Sequence, residues 1–391
     1  MNLLSEKKDF AFLRVPLCPL WFRLYCLAVL LLCNAASTAQ TSTVPASRLA
    51  HLRHGINTSH WFSQHAGRYT KEHLETTVTA EDVALIKSMG FDHIRFSVDP
   101  EPLFSVNRAN ELPAEYLGYL DAAVKMILDH GLAVVIDVHP ESDFKARLNK
   151  EDVFVQQFAD FWRALAQRYS TWDTERVFFE IMNEPEFSDR YRWYGVEAKV
   201  AAAIREGAPR NTIIVAGARW SDDDDLVFLE PLRDTNVIYN FHFYDPHIFT
   251  HQGATWGAYY WHWTKGLKYP SDPESAARIA AALPDPVDRF QVMRYGQERW
   301  GPVRMEAEVN QVAEWAHKYG VPVVCNEFGV FRFVADPNDR AAWLHDVRSA
   351  LEKYNMGWAM WDYDGGFGVL NRDANGKKVP DDVTLHALGL K

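Results

Sequence analysis

The 391-residue sequence predicts an α/β fold, a closed (β/α)8 TIM barrel in a single domain. Three observations carry that expectation. A unit recurs in which an amphipathic helix ends at Gly or Asn and a short, β-prone run follows. Those runs are rich in apolar residues, most plainly Val177 to Met182 and Val321 to Cys325, as suits strands covered by helices on both sides of a parallel sheet. Eight such runs alternate with helical stretches over one continuous region, which makes a parallel sheet.

In chain order, Gly55-Ile56-Asn57 is the first strand. Thr79 to Met89 reads as a helix: Thr79 is the N-cap, Asp82 lies in the first turn, Val83, Ile86 and Met89 share a face, and Gly90 ends it. Phe91 to Phe96 is the second strand. Leu128-Asp129-His130-Gly131 leads into the third, Leu132 to Val138, and Val177 to Met182 is the fourth. Glu206-Gly207 precedes the fifth, Thr212 to Ala216, and Val237 to Phe243 is the sixth. Lys318-Tyr319-Gly320 leads to the seventh, Val321 to Cys325, and Tyr354 to Gly357 leads to the eighth, Trp358 to Trp361. An open doubly wound sheet would carry a Gly-rich phosphate turn after its first strand; Gly55-Ile56-Asn57-Thr58-Ser59-His60-Trp61 is not one. The run Asp222 to Asp225 reads as a solvated helix start capped by Ser221, its acids favoured by the helix dipole.

Residues 1–39 read as an export signal: Lys7, Lys8, Arg14 and Arg23 form a basic start, Leu24 to Leu32 a short apolar core, and Ser37-Thr38-Ala39 a cleavage site. The apolar run is too short to span a membrane. The expected location is outside the cytoplasm, secreted or periplasmic. Residues 40–52 read as a flexible lead-in and 53–391 as the catalytic domain. Cleavage after Ala39 removes those four bases with Glu6 and Asp9, taking the formal net charge from −11 to −13. An acidic chain without a basic stripe is a poor partner for nucleic acid or an anionic membrane. Cys18, Cys26 and Cys33 leave with the signal, so Cys325 stands alone and reads as a small buried strand residue.

Two glutamates at strand ends point to chemistry. Glu184 follows Val177 to Asn183 and precedes Pro185; Glu327 follows Val321 to Asn326 and precedes Phe328-Gly329. Two carboxylates on the ends of strands in one sheet suit glycoside hydrolysis, which needs one acid for the leaving oxygen and one base or nucleophile. The long aromatic-rich loop after the sixth strand, Asp245 to Trp300, holds Trp256, Tyr259, Tyr260, Trp261, Trp263, Tyr269 and Trp300. In a barrel it lies on the C-terminal face, where active sites are built, so Trp256 to Tyr269 are expected to wall a sugar-binding cleft. His60 and Trp61 follow the first strand and are candidates for the same cleft, and Asp137 reads as barrel interior.

With those positions in order, the chain resembles glycoside hydrolase family 5, the cellulases and mannanases of the four-seven clan, from about Arg53 to Leu388. Asn183-Glu184-Pro185 resembles the family's acid/base motif on strand four, and Glu327 with Phe328-Gly329 its nucleophile on strand seven. Arg95 in His93-Ile94-Arg95-Phe96, His139 in Asp137-Val138-His139-Pro140, His242 and Tyr244 in Asn240-Phe241-His242-Phe243-Tyr244, and Trp361 in Met360-Trp361-Asp362-Tyr363 resemble its supporting residues on strands two, three, six and eight. Many members carry a second His where this chain has Pro140, which bears on subsite detail. The stretch Phe249 to Trp256 has no substrate mapped to it.

The resemblance implies a retaining β-glycosidase without cofactor or metal, cleaving a β-linked polysaccharide, most simply as a monomeric endo-β-1,4-glucanase. Arg95 and Tyr244 would keep Glu327 ionised, Glu184 would hold the proton it donates, Asn183 would bond the sugar 2-OH, and Trp361 would floor the reacting subsite. A β-mannanase or an exo-β-glucosidase uses the same residues. A metal-dependent barrel hydrolase would want a His-x-His on the first strand, which is missing from the sequence, and a non-catalytic carbohydrate-binding barrel would usually lack one of the two glutamates.

Overall fold

The computed structural model describes residues 42–390; the expected export signal lies outside them. The eight strands are β1 His54–Asn57, β2 His93–Val98, β3 Ala133–Val138, β4 Val177–Glu180, β5 Thr212–Ala216, β6 Val237–Phe243, β7 Val323–Phe328 and β8 Gly357–Met360. They pair in chain order as a closed barrel, and β8 returns parallel to β1 with Gly55 opposite Ala359. Helices cover the outside. Thr79 caps the helix Ala80–Ser88 through a reciprocal bond with Asp82, as the sequence predicts.

Side chains alternate along each strand, so every second residue fills the barrel. The lower layer is apolar: Ala133, Val135, Phe178, Ile214, Ile238 and Val324 form one buried cluster with Leu52. Directly above, the barrel interior turns polar, with Asn57, Arg95, Asp137, Glu180, Asn240 and Asn326 all fully buried or nearly so. The lower layer is the floor on which that polar layer stands.

The lead-in differs from the expectation of a flexible segment. Residues 46–50 form a helix, and Val44 and Leu49 pack on the apolar layer at the bottom of the barrel. Arg48, 7% exposed, bonds the Arg210 carbonyl at 2.6 Å, Thr212 Oγ1 at 3.0 Å and Glu175 at 3.0 Å. Leu52 comes so close to β8 that a Cβ on Gly357 would sit 1.7 Å from its carbonyl oxygen. A barrel exposes apolar interior at its open bottom, and this segment covers it, which no local pattern in a short polar stretch announces.

β7 runs past Cys325 to Phe328. Between Phe241 and His242 of β6 its register shifts by one, so that Phe241 faces Cys325 and His242 faces Glu327, leaving Asn326 as the extra residue of a bulge. Asn326 and Glu327 both reach the interior as a result, Asn326 to Glu180 and Glu327 to Arg95. Cys325 is fully buried, matching its structural reading.

The connection after β6 is not an open loop: it carries the helices His247–Thr250, Tyr259–Trp263, Pro273–Ala282 and Pro286–Glu298. The acidic run after β5 also differs. Ser221 adopts φ +56°, so the cap passes to Asp222, whose side chain accepts from the Asp224 N–H at 3.0 Å. Asp225 is buried against Arg190 and Arg219 rather than solvated.

Because Arg48 ties the lead-in to β5, Arg48→Ala is expected to lower stability by about 2 kcal/mol, the worth of its bonds to partners left unsatisfied. Urea denaturation reads this directly; an unchanged midpoint would show that the segment only lies against the barrel.

Candidate active site

One guanidinium organises the upper layer. Arg95 is fully buried. Its Nε and one Nη donate to the two oxygens of Glu180 at 2.9 and 2.7 Å. The other Nη donates to Asn57 Oδ1 at 2.9 Å and Glu327 Oε1 at 2.5 Å. Asn183 Oδ1 at 2.9 Å and Asp137 Oδ2 at 3.1 Å complete the set. Glu180 is held in turn by Asn326 and Asn240. With one cation among three carboxylates, burial pushes the Asp137 carboxyl up to about 6 against the pull of Arg95.

Glu184 and Glu327 face each other above this layer. Together with His242 Nδ1, one oxygen of each lies within 4.8 Å of the others. Glu327 is nearly buried, and its second oxygen accepts from the Tyr244 hydroxyl at 3.0 Å. Burial first, then the Glu327 charge, pushes the Tyr244 hydroxyl far up, so it donates. Glu184 is about a quarter exposed. It lies four residues beyond the end of β4 at φ +44°, a left-handed turn that throws its side chain over the barrel mouth.

Two imidazoles stand beside the pair. Burial lowers His242 to about 4 and His139 to about 3, so both are neutral near pH 7. His242 Nδ1 is 3.0 Å from Glu184 Oε1 and 3.6 Å from Glu327 Oε2. His139 Nδ1 donates to Asp137 at 2.9 Å, which leaves Nε2 to accept from Asn183 Nδ2 at 3.0 Å. Asn183 is thereby gripped at both ends, oxygen by Arg95 and nitrogen by His139, with one amide hydrogen left for a ligand. The Trp361 indole stacks near His139, ring centroids 5.8 Å apart.

These groups line an open cleft of about 1040 Å³ across the C-terminal face. Of the residues expected there, Glu184, Glu327, Asn183, His139, His242, Tyr244, Trp361, His60 and Trp256 line it, and Arg95 supports it from below. Trp61 does not. It is 1% exposed, packs on Phe62 and Phe96, and donates its indole N–H to the Leu74 carbonyl. His60 adopts φ +58° and turns the chain, so the residue after it points into the core rather than the cleft.

The aromatic connection divides. Trp256 and Trp261 line the cleft; Trp263 is exposed away from it, and Tyr269 and Trp300 are buried packing. The stretch Phe249 to Trp256 builds this wall: Thr250 donates to the Tyr244 carbonyl at 2.6 Å, and His251 stacks on Trp261 at 4.5 Å. Sequence reasoning missed Glu180, although a carboxylate inside an apolar strand run signals a buried partner. It also missed Lys145, Glu186, Trp220, Phe331 and Phe367 of the cleft wall; Lys145 lies on the short helix Ser142–Lys150 and the others on connections with no periodic signal.

Glu184, His242 and Glu327 could in principle ligate an ion. Both Glu327 oxygens are already engaged, however, and the Arg95 charge 2.5 Å away opposes a cation there. Removing Glu180 is expected to be severe: Glu180→Ala leaves Arg95 without its bidentate partner and should cost about 3–5 kcal/mol. Turnover should fall with it, since Arg95 positions Asn183 and Glu327. Denaturation and kinetics on the folded fraction test this; near-normal values for both would mean Asp137 and Glu327 suffice to hold Arg95.

Comparison with known proteins places this geometry. The family model Cellulase (glycosyl hydrolase family 5) matches residues 54–366. Endoglucanase C of Acetivibrio thermocellus is 31% identical over 326 residues, 82% of this chain and 93% of that protein. Cellodextrinase A of Ruminococcus flavefaciens is 28% identical, covering 77% and 82%. The structure of endoglucanase Cel5A from Thermotoga maritima aligns with a TM-score of 0.72 at 26% identity, covering 88% of this chain and 100% of that one. The match spans all eight strands and both glutamates, and the chain belongs to the cellulase family, glycosyl hydrolase family 5.

Proposed function

We propose that the chain is an endo-β-1,4-glucanase that works by double displacement, with Glu327 as nucleophile and Glu184 as acid/base. The observation that carries this reading is the separation of the two carboxylates. One oxygen of each lies within 4.8 Å of the other, which fits the ~5 Å spacing of retaining enzymes better than the wider gap an inverting enzyme keeps for its water. The endoglucanases among the relatives support internal attack on a β-1,4-glucan over the β-mannanase and exo-β-glucosidase alternatives.

Glu327 attacks the anomeric carbon while Glu184 gives its proton to the leaving oxygen. The bond to the leaving sugar breaks as the glycosyl–Glu327 ester forms. Glu184, now a carboxylate, takes a proton from water, which attacks the same carbon and releases Glu327. Arg95 and Tyr244 direct hydrogen bonds at the two Glu327 oxygens, which keeps the attacking carboxylate oriented. The free amide hydrogen of Asn183 meets the sugar 2-OH, a contact that strengthens in the oxocarbenium-like transition state. Trp361 is the floor. We also assign residues 1–39 to an export signal and the active form to a monomer outside the cytoplasm, acting on polysaccharide.

Glu184→Ala and Glu327→Ala should each lower turnover on cellulosic substrate by at least about 10²–10⁴-fold. With azide and an activated aryl glycoside, the Glu184 variant should recover and form β-glycosyl azide, and the Glu327 variant should form α-glycosyl azide. Failure of both rescues in folded protein would overturn the assignment.

The cleft wall makes a separate expectation. Trp256→Ala and Trp261→Ala should weaken kcat/KM on long oligosaccharides about tenfold, the scale of one aromatic contact, whereas Trp263→Ala should leave it near wild type. Equal effects at all three positions, tracking melting temperature, would reduce the wall to packing.

A further inference from the structure

The helix Ser142–Lys150, which follows β3, sends a charged side chain into the cleft wall. Lys145 is 5% exposed. Its ammonium donates to Glu186 Oε1 at 3.2 Å, and the same oxygen accepts from Ser142 Oγ at 2.8 Å. Both Lys145 and Glu186 line the cleft. Fold stability is a weak reason for such a pair: an ion pair taken out of water often does no better than apolar packing of the same volume. An ammonium has three donors, and among the described residues Glu186 is the one hydrogen-bond acceptor that Lys145 has. The remaining donors and the second Glu186 oxygen therefore sit beside each other at the cleft surface, a donor and an acceptor with capacity to spare.

Position says what they would meet. Glu186 lies two residues beyond Glu184 in the same turn after β4, and that turn is braced by an antiparallel bridge from Glu186 to Arg219. Glu327, on β7, lies across Glu184 through His242. Groups of the β3–β4 side thus stand beyond the acid, where the leaving oxygen departs. Neighbouring hydroxyls on a sugar ring each donate and accept, so a cation–anion pair side by side matches two of them at once.

We propose that Lys145 and Glu186 form a subsite for the leaving-group sugar, binding a vicinal diol of the β-linked residue just beyond the scissile bond. The proposal rests on Glu184 being the acid. The pair determines which leaving groups are accepted: sugars with an equatorial diol over leaving groups without one.

Lys145→Met and Glu186→Gln test it, each assayed on cellotetraose and on an aryl β-cellobioside whose leaving group has no diol. The ratio of kcat/KM for cellotetraose to that for the aryl substrate should fall about tenfold in each variant, as expected for loss of one charged hydrogen bond. Transfer of the cellobiosyl unit from aryl substrate to added cellobiose, against hydrolysis by water, should fall by a similar factor, because the acceptor sugar must occupy the same subsite. An unchanged ratio with unchanged transfer overturns the subsite and leaves a structural pair. Glu186→Gln keeps the shape of the wall and carries the test if Lys145→Met does not fold. Absence of turnover of any β-glycoside by the wild-type protein would instead overturn the glycosidase reading, and the subsite with it.

Discussion

The buried guanidinium of Arg95 is the interaction on which the rest of the site depends. It sits at the top of the barrel interior with no exposure, and five side chains converge on it. Burying a cation is costly unless carboxylates and amides satisfy every donor, and here each does double service. Glu180 neutralises Arg95 and fixes Asn326 and Asn240; Glu327 neutralises it from above and faces Glu184; Asn183 binds it by oxygen and turns its nitrogen toward the cleft. A planar fork of five N–H donors can hold several partners at set angles, which a lysine ammonium cannot. The rigidity that glycoside chemistry requires is therefore built into the barrel core rather than into the loops.

That layer exists because the barrel beneath it is closed twice. Around the circumference, β8 pairs back to β1. At the bottom, the segment from Val44 to Leu52 seals the apolar interior, so the polar layer rests on dry packing instead of water. The bulge at Asn326 then does what a regular strand could not. Period-two alternation would put one of two adjacent residues outside; the extra residue lets Asn326 brace Glu180 while Glu327 meets Arg95 and Tyr244. One register shift thus joins the scaffold to the reacting group.

Above the layer the cleft is chemically uneven. The side built from the loops after β3 and β4 carries Lys145, Glu186 and Ser142; the side built from the loops after β6, β7 and β8 carries Trp256, Trp261, Phe331 and Phe367. Glu184 stands between them on its left-handed turn. Polar groups suit hydroxyl-by-hydroxyl reading, whereas aromatic faces suit the flat apolar faces of sugar rings. Neutral His139 and His242 add shape and hydrogen bonds to this centre without adding charge that would compete with Arg95.

The sequence by itself determined the eight strands, their order and the placement of both glutamates at the barrel mouth, because buried strands and helix stops are written in local residue pattern. Thr79 with Asp82, the apolar run Val177 to Met182 and the Gly ahead of the second, third, fifth, seventh and eighth strands needed no tertiary information. Asn183, Arg95, His139, His242, Tyr244 and Trp361 were legible only as ordered positions matching a family, since nothing local in His93-Ile94-Arg95 says that the arginine meets Glu180 from another strand. Tertiary structure alone decided the rest. Trp61 and Trp256 look alike in sequence, yet the turn at His60 sends one into the core while the other faces the cleft. The lead-in looked free until the open bottom of the barrel gave it something to cover. Lys145 and Glu186, 41 residues apart, became a pair only when β3 and β4 brought their loops together. Local pattern encodes which face of an element is apolar, whereas contacts between residues distant in sequence exist only once barrel closure has set the spacing between strands.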